Sequence, residues 1–256
     1  MRKLFAMILV FMLFSVSAFT QSRANANDIL KSIDEGKAVS YSGVEIVGVL
    51  DLTKIQDKVP DKGNKSSKNS TKVFWYHVRS PLSFVNCAFK DDVIAYYHDD
   101  KKNETHNAVF HADVSFQGCE FQGESAFKYS KFHEGADFTK TTYHKEALFK
   151  YSKFSTEVSF ASSVFSNDAN FKYTAFPEKV DFGNTKFEDQ ANFKYTKFPK
   201  GVSFNNAVFQ DSANFKYTKF YEPFDFDGTE FGDDVDFKYT KLEEKPFVKY
   251  LLKNKK

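Results

Sequence analysis

The chain has 256 residues, the size of one domain, with 36 Lys and Arg against 34 Asp and Glu and a formal charge of +2. That balance excludes a partner identified by bulk charge alone. With 32 Phe against 11 Gly and 6 Pro, the composition argues against a disordered polar chain and for an ordered fold.

Residues 1–26 read as an export signal: Arg2 and Lys3, an apolar run over residues 4–14, then small residues. Ala24-Asn25-Ala26 supplies an A-x-A cleavage site, and Val16-Ser17-Ala18 a second one. An uncleaved anchor is the competing reading, although the run is shorter than the ~20 residues that a span requires. No Cys follows the run to carry a lipoprotein anchor, and no later stretch is apolar enough to span a membrane. Next, Asn27 is placed to cap a short helix over residues 28–35 closed by Gly36. The alternation over residues 44–52 predicts a first strand. Residues 53–72 are rich in Lys and Ser without periodicity and read as a solvated loop.

Residues 82–89 (LSFVNCAF) and 114–121 (VSFQGCEF) place Cys87 and Cys119 at the same motif position. Neighbouring coils would bring them to ~4.8 Å, within the Cα range of a disulfide. In an exported chain a bridge between them and a pair of buried free thiols are both open. From Phe84 to Phe116 the chain takes 32 positions, about ten more than the later spacing allows. The surplus near residues 90–110 predicts a hairpin inserted at one edge, with DDKKNET at its tip. It carries His98, Asp99, Asp100, His106 and His111. His98 opposite His106 would make a metal pair, but no fixed ligand spacing supports one, so no metal and no cofactor is assigned.

From Phe116 to Leu242 an aromatic or apolar residue recurs at steps alternating between five and six, with only Tyr143 and Leu242 replacing Phe. A longer identity recurs at 22 residues: FKYSKF at Phe127 and Phe149, FKYTAF at Phe171, FKYTKF at Phe193 and Phe215. Four steps therefore make one unit, which predicts a four-sided coil with one inward Phe per side. Coils of this kind stack to share a continuous core. Small or β-branched residues two positions before most Phe, such as Ala169, Thr174 and Val180, are predicted to fill the corners. After the array, PFVKYLLKNKK within residues 243–256 puts Phe247, Tyr250 and Leu251 on one helical face, a predicted cap.

ANFKY, TKFPK, VSFNN and AVFQD resemble the pentapeptide-repeat motif, and the resemblance covers residues 81–242. It implies an all-β fold, a right-handed quadrilateral β-helix, here with short terminal capping helices. Residues 27–80, with ILKSIDEGKAV and VEIVGVLDLTKI, look like the N-terminal portion of some members and imply a cap. The six-residue steps depart from the family pattern, and wider turns are expected there.

No phosphate loop, G-x-S-x-G, H-E-x-x-H or Cys-x-x-Cys is present, so catalysis is not expected. The most regular surface signal is a Lys/Tyr face: Lys128, Tyr129, Lys150, Tyr151, Lys172, Tyr173, Lys194, Tyr195, Lys216, Tyr217, Lys238 and Tyr239. Lys131, Lys153, Lys197, Lys219 and Lys241 extend it, with Ala175 as one gap. Asp168, Glu188, Asp189, Asp211, Asp233, Asp234 and Asp236 make the preceding side acidic, and salt links across the shared edge are expected. This pattern suits a secreted or periplasmic, non-enzymatic interaction surface that takes an anionic glycan, a lipid headgroup or a protein partner. Aromatic planes beside the cations would also suit sugar rings. The competing readings are a structural envelope spacer or an end-to-end homodimer without ligand. Family members that protect DNA gyrase imply a DNA-mimicking inhibitor. An export signal and a basic regular face both set this chain apart from them, so nucleic acid is not the expected partner.

Overall fold

The computed structural model describes residues 22–62 and 70–250. The apolar run over residues 4–14, expected to belong to an export signal, the segment 63–69 and Leu251 lie outside those residues. The strands fall on four parallel faces that repeat every 22 residues, as in Ala169↔Ala191 and Ala191↔Ala213. The alternating step explains the outline. Each five-residue step closes with a tight turn, such as Ser130 N–H donating to Phe127 O at 3.1 Å. Its third residue takes a positive φ, as Tyr129 does at 59°, the mark of a type II turn. Between Phe165 and Phe171, a six-residue step, no residue has a positive φ. That corner is wider, as the extra residue demands.

Phenylalanine fills the interior. Phe127, Phe149, Phe171, Phe193, Phe215 and Phe237 form one inward column with centroid spacings of 5.1–5.2 Å and interplanar angles of 3–10°. Ala169, Val180, Ala191 and Val202 are buried beside the rings. The corner hydroxyls have a second task. Ser152, Thr174, Thr196 and Thr218 donate to the carbonyls of Phe127, Phe149, Phe171 and Phe193 at 2.6–2.8 Å. Each bond ties one coil to its neighbour and gives a second donor to a carbonyl that already accepts its own turn's N–H.

The solenoid begins earlier than the Phe register. After β1 (Arg23–Asn25) and α1 (Ala26–Asp34) come β2 (Val39–Ser42), β3 (Glu45–Val47) and β4 (Leu50–Asp51). These pair in parallel with β7 (Leu82–Val85), β8 (Ala88–Phe89) and β9 (Val93–Ile94). Thus residues 39–62 and 70–78, expected to be cap and loop, supply the first coil. Its inward residues are aliphatic, including Val39, Ile46, Leu50 and Val78, so the Phe period does not reveal it. The single strand expected over residues 44–52 is two strands on adjacent faces, because Gly48 turns the chain at φ 86°.

The cap of α1 is Asn25, which accepts from Asn27 N–H at 2.8 Å, so the predicted cap shifts by two residues. Ala26, Ile29 and Ile33 of α1 are buried and cover the end of the core. The loop expected from residue 53 contains buried Thr53 and Ile55 and β5 (Lys58–Pro60), antiparallel to β6 (Lys72–Val78).

The insertion is the predicted hairpin, with β10 (Tyr96–Asp99) antiparallel to β11 (Glu104–Phe110). Since β11 also runs parallel to β6, β5, β6, β11 and β10 form a flap that extends one face of the solenoid. At the far end Phe247 is 1% exposed and packs on Phe220 and Phe237 at 5.3 and 4.9 Å. Among the described residues no helix is long and apolar enough to cross a membrane.

Candidate binding face

The Lys/Tyr face is built at the tight corner of six successive coils. Tyr129, Tyr151, Tyr173, Tyr195, Tyr217 and Tyr239 all have φ of 59–64°, a region that bulky residues avoid. At the opposite tight corner the same conformation falls mainly to Asn86, Gly118, Asn184, Asn206 and Gly228, the residues that tolerate it. Tyrosine at the first corner therefore needs a compensating interaction. From Tyr129 to Tyr217 the rings stack at 4.6–4.9 Å with planes within 5° of parallel. The left-handed conformation costs about 1–2 kcal/mol per residue. One stacked pair per coil returns about 0.5–1.5 kcal/mol. Each column lysine also lies 5.2–5.8 Å from the ring that follows it, adding about 0.5–1 kcal/mol. The column balances itself.

This geometry changes what the face can hold. Within the ladder each ring covers its neighbours' faces, so sugar rings have no aromatic plane to stack on there. What remains outward is a spine of phenol edges between two rows of ammonium groups. Among the described residues, Lys150, Lys172, Lys194, Lys216 and Lys238 form none of the ion pairs. The salt links expected across the shared edge are therefore not made; these lysines lie by the Tyr rings instead. Burial, with Lys172 and Lys128 close by, lowers the Lys150 pKa. On the acidic side burial and neighbouring carboxylates raise the pKa values of Glu146 and Asp168. Each column is thus loaded with like charge.

Both ends of the face are occupied. Lys128 Nζ donates to Tyr96 Oη at 3.0 Å, and Lys131 Nζ sits 3.6 Å over the Trp75 ring. At the other end Lys219 and Lys241 pair with Glu244 at 2.8 and 3.1 Å. Hydrogen bonds from Lys219, Tyr221 and Lys241 pull the Glu244 carboxyl down to about 2. The unpaired window runs from Lys150 to Lys216, with Ala175 as its gap.

Cys87 and Cys119 are buried free thiols in this structure. They fall in the corner column that Thr141, Ser163 and Thr185 continue, and Cys119 Sγ reaches Phe84 O at 3.3 Å as those hydroxyls reach theirs. Its hydrogen bond with Cys87, together with burial, pushes the Cys119 thiol up. In the hairpin, His98 lies opposite Thr105 and His106 opposite Tyr97. The offset of one residue puts the two imidazoles on opposite faces of the flap, so they do not form a pair. A contact that sequence reading missed joins His77 Nδ1 and His111 Nε2 at 2.6 Å, with His133 stacked beyond. The first coil brings His77 there, and its period is not visible in the sequence. Burial lowers the pKa of both His77 and His111. Among the described residues no group of His, Cys, Asp and Glu is arranged to hold a metal.

A family model described as pentapeptide repeats (9 copies) matches residues 106–153, 149–197 and 193–241. No curated protein and no solved structure matches the chain. The matched segments cover more than half of the 256 residues, and the coils they span are those described above: the chain belongs to the pentapeptide-repeat family.

Proposed function

We propose that this protein is an exported, non-enzymatic interaction scaffold that binds an anionic polysaccharide along the Lys/Tyr corner. The observation that carries the reading is the window of unpaired lysines, at one coil rise per step, on both sides of the Tyr spine. Half-buried cations in a row attract an extended polyanion and lose part of that attraction as salt rises. Carboxylated or sulfated polysaccharides fit better than neutral ones, because the ladder offers charge and phenol edges but no open ring face. The self-balanced Tyr column favours a second reading, a spacer whose faces carry no ligand.

The two readings separate in one experiment. Mature protein is titrated with a polyuronate and with dextran sulfate at rising salt, beside anionic vesicles and duplex DNA. Lys172→Gln, Lys194→Gln and Lys216→Gln together are expected to weaken polysaccharide binding strongly while circular dichroism keeps the parent fold, at a cost in stability no larger than the three lost ring contacts. Absence of binding at low salt would leave the spacer. Tighter binding to vesicles or DNA would reassign the partner.

Export rests on the N-terminal composition, and the fold bears on where processing falls. β1 pairs with β3, Asn25 caps α1 and Ala26 is 1% exposed. Cleavage after Ala26 would remove β1 and that cap, whereas cleavage after Ala18 keeps them. The mature protein is expected to begin at Phe19. An intact mass starting at Asn27 would refute this placement.

A further inference from the structure

The two sides of the flap differ. Tyr96, on one side, meets the Lys/Tyr corner. The other side faces the first coil across a cleft.

 

That cleft, of about 450 Å³, lies between β10, β11 and β6 on one wall and Asp51, Thr53 and Lys54 on the other. A cross-strand stack forms the flap wall. Lys58 Nζ lies 3.9 Å over Phe74, Phe74 stacks on His106 at 5.3 Å, and His106 stacks on Tyr97 at 5.8 Å with planes 28° apart. Cation and rings cover one another along this row, and Tyr97 is its last member. Tyr97 is 49% exposed, so one of its faces is left open.

The polar groups are ordered by depth. Asp51 and Asp99 are the inner ones, with side chains 11% and 17% exposed, and their Oδ2 atoms pair at 3.2 and 3.4 Å with Lys54 and Lys102, which form the rim at 71% and 69%. Each carboxylate is fixed by its own turn. Asp51 Oδ1 accepts from Thr53 N–H at 3.0 Å, and Asp99 Oδ1 from Lys101 and Lys102 N–H at 3.0 and 3.1 Å. Two carboxylates and two ammonium groups cancel. Tyr76 Oη shares a hydrogen bond with His106 Nδ1 at 2.9 Å, and burial, with Lys58 nearby, lowers the His106 pKa.

We propose that this cleft binds one neutral saccharide ring, its C–H face on Tyr97 and its hydroxyls donating to Asp51 and Asp99. An apolar ligand would desolvate four charged groups without replacing their hydrogen bonds. An anionic one would be repelled by the carboxylates once inside, and a cationic one would first have to pass the rim lysines. A polyhydroxylated ring needs one open aromatic face and several fixed acceptors, and this cleft supplies both. The site is separate from the polyanion corner, since neighbouring residues of β10 point to opposite sides of the flap.

Saturation-transfer NMR on the mature protein tests this, with glucose, galactose, mannose and N-acetylglucosamine as probes and glucosamine and glucuronate as charged controls. Transfer from at least one neutral sugar is expected. Tyr97→Ala and Asp99→Asn are each expected to weaken it by about tenfold, the equivalent of 1.4 kcal/mol. The triple Lys→Gln variant of the corner should leave it unchanged. No transfer from any neutral sugar at millimolar concentration overturns the proposal. So does transfer that survives both cleft variants in folded protein, or transfer from the charged controls alone.

Discussion

Phe193→Ala is expected to destabilise the protein by about 3–5 kcal/mol, through lost transfer energy and the cavity left behind. Phe193 is 0% exposed, stacked between Phe171 and Phe215 at 5.1 and 5.2 Å, with Phe182 and Phe204 edge-on at 5.3 and 5.4 Å. Collapse into the cavity is resisted because backbone bonds fix the rise between coils, as in Phe193 N–H to Asn214 O at 2.8 Å. In a solenoid the loss also reaches both neighbouring coils, whose stability depends on that shared interface. Lys194→Ala, one residue on, should cost no more than about 1 kcal/mol, the worth of its contact with the Tyr195 ring. Urea unfolding of the two variants decides the matter. A Phe193→Ala loss no larger than that of Lys194→Ala would mean that the column does not carry the core.

Protein recovered from an oxidising compartment is expected to contain no titratable thiol, because Cys87 and Cys119 are buried on adjacent coils immediately before the paired residues Ala88 and Glu120. The bridge would close a loop of about 32 residues, for which chain entropy gives roughly 3–4 kcal/mol. Reduction should lower stability by that order. Cys87→Ser with Cys119→Ser should fold, with the stability of the reduced protein, since Ser163 already fills the same column and donates to Phe138 O at 2.7 Å. Thiol titration in denaturant, without prior reduction, gives the first reading. Two thiols per chain would rule the bridge out, leaving the pair as sulfur members of a hydroxyl column.

The repeat was legible because its signal is redundant: each Phe from Phe116 onward occupies a position that its neighbours a coil away confirm. The first coil was hidden for the opposite reason. Val39, Ile46, Leu50 and Val78 bury as well as Phe but keep no period across the excursion before β6. The Lys/Tyr face was legible as a pattern of positions. Its chemistry was not, since the same pattern is compatible with rings turned outward or rings turned on one another.

Sequence by itself determined the coil, its 22-residue length, the inward Phe column and the outward lysines, all of which follow from spacing and from the burial of apolar residues. It also determined that a hairpin interrupts the array. Tertiary structure alone decided which groups meet: that the tyrosines seal each other, that Lys128 and Lys131 are held by the flap, that His98 and His106 part, and that Tyr97 ends a stack over a cleft. The reason is physical. Burial is a property of a residue and its period, whereas ring stacking, ion pairing and an open aromatic face depend on side-chain directions set by neighbours far away in the chain.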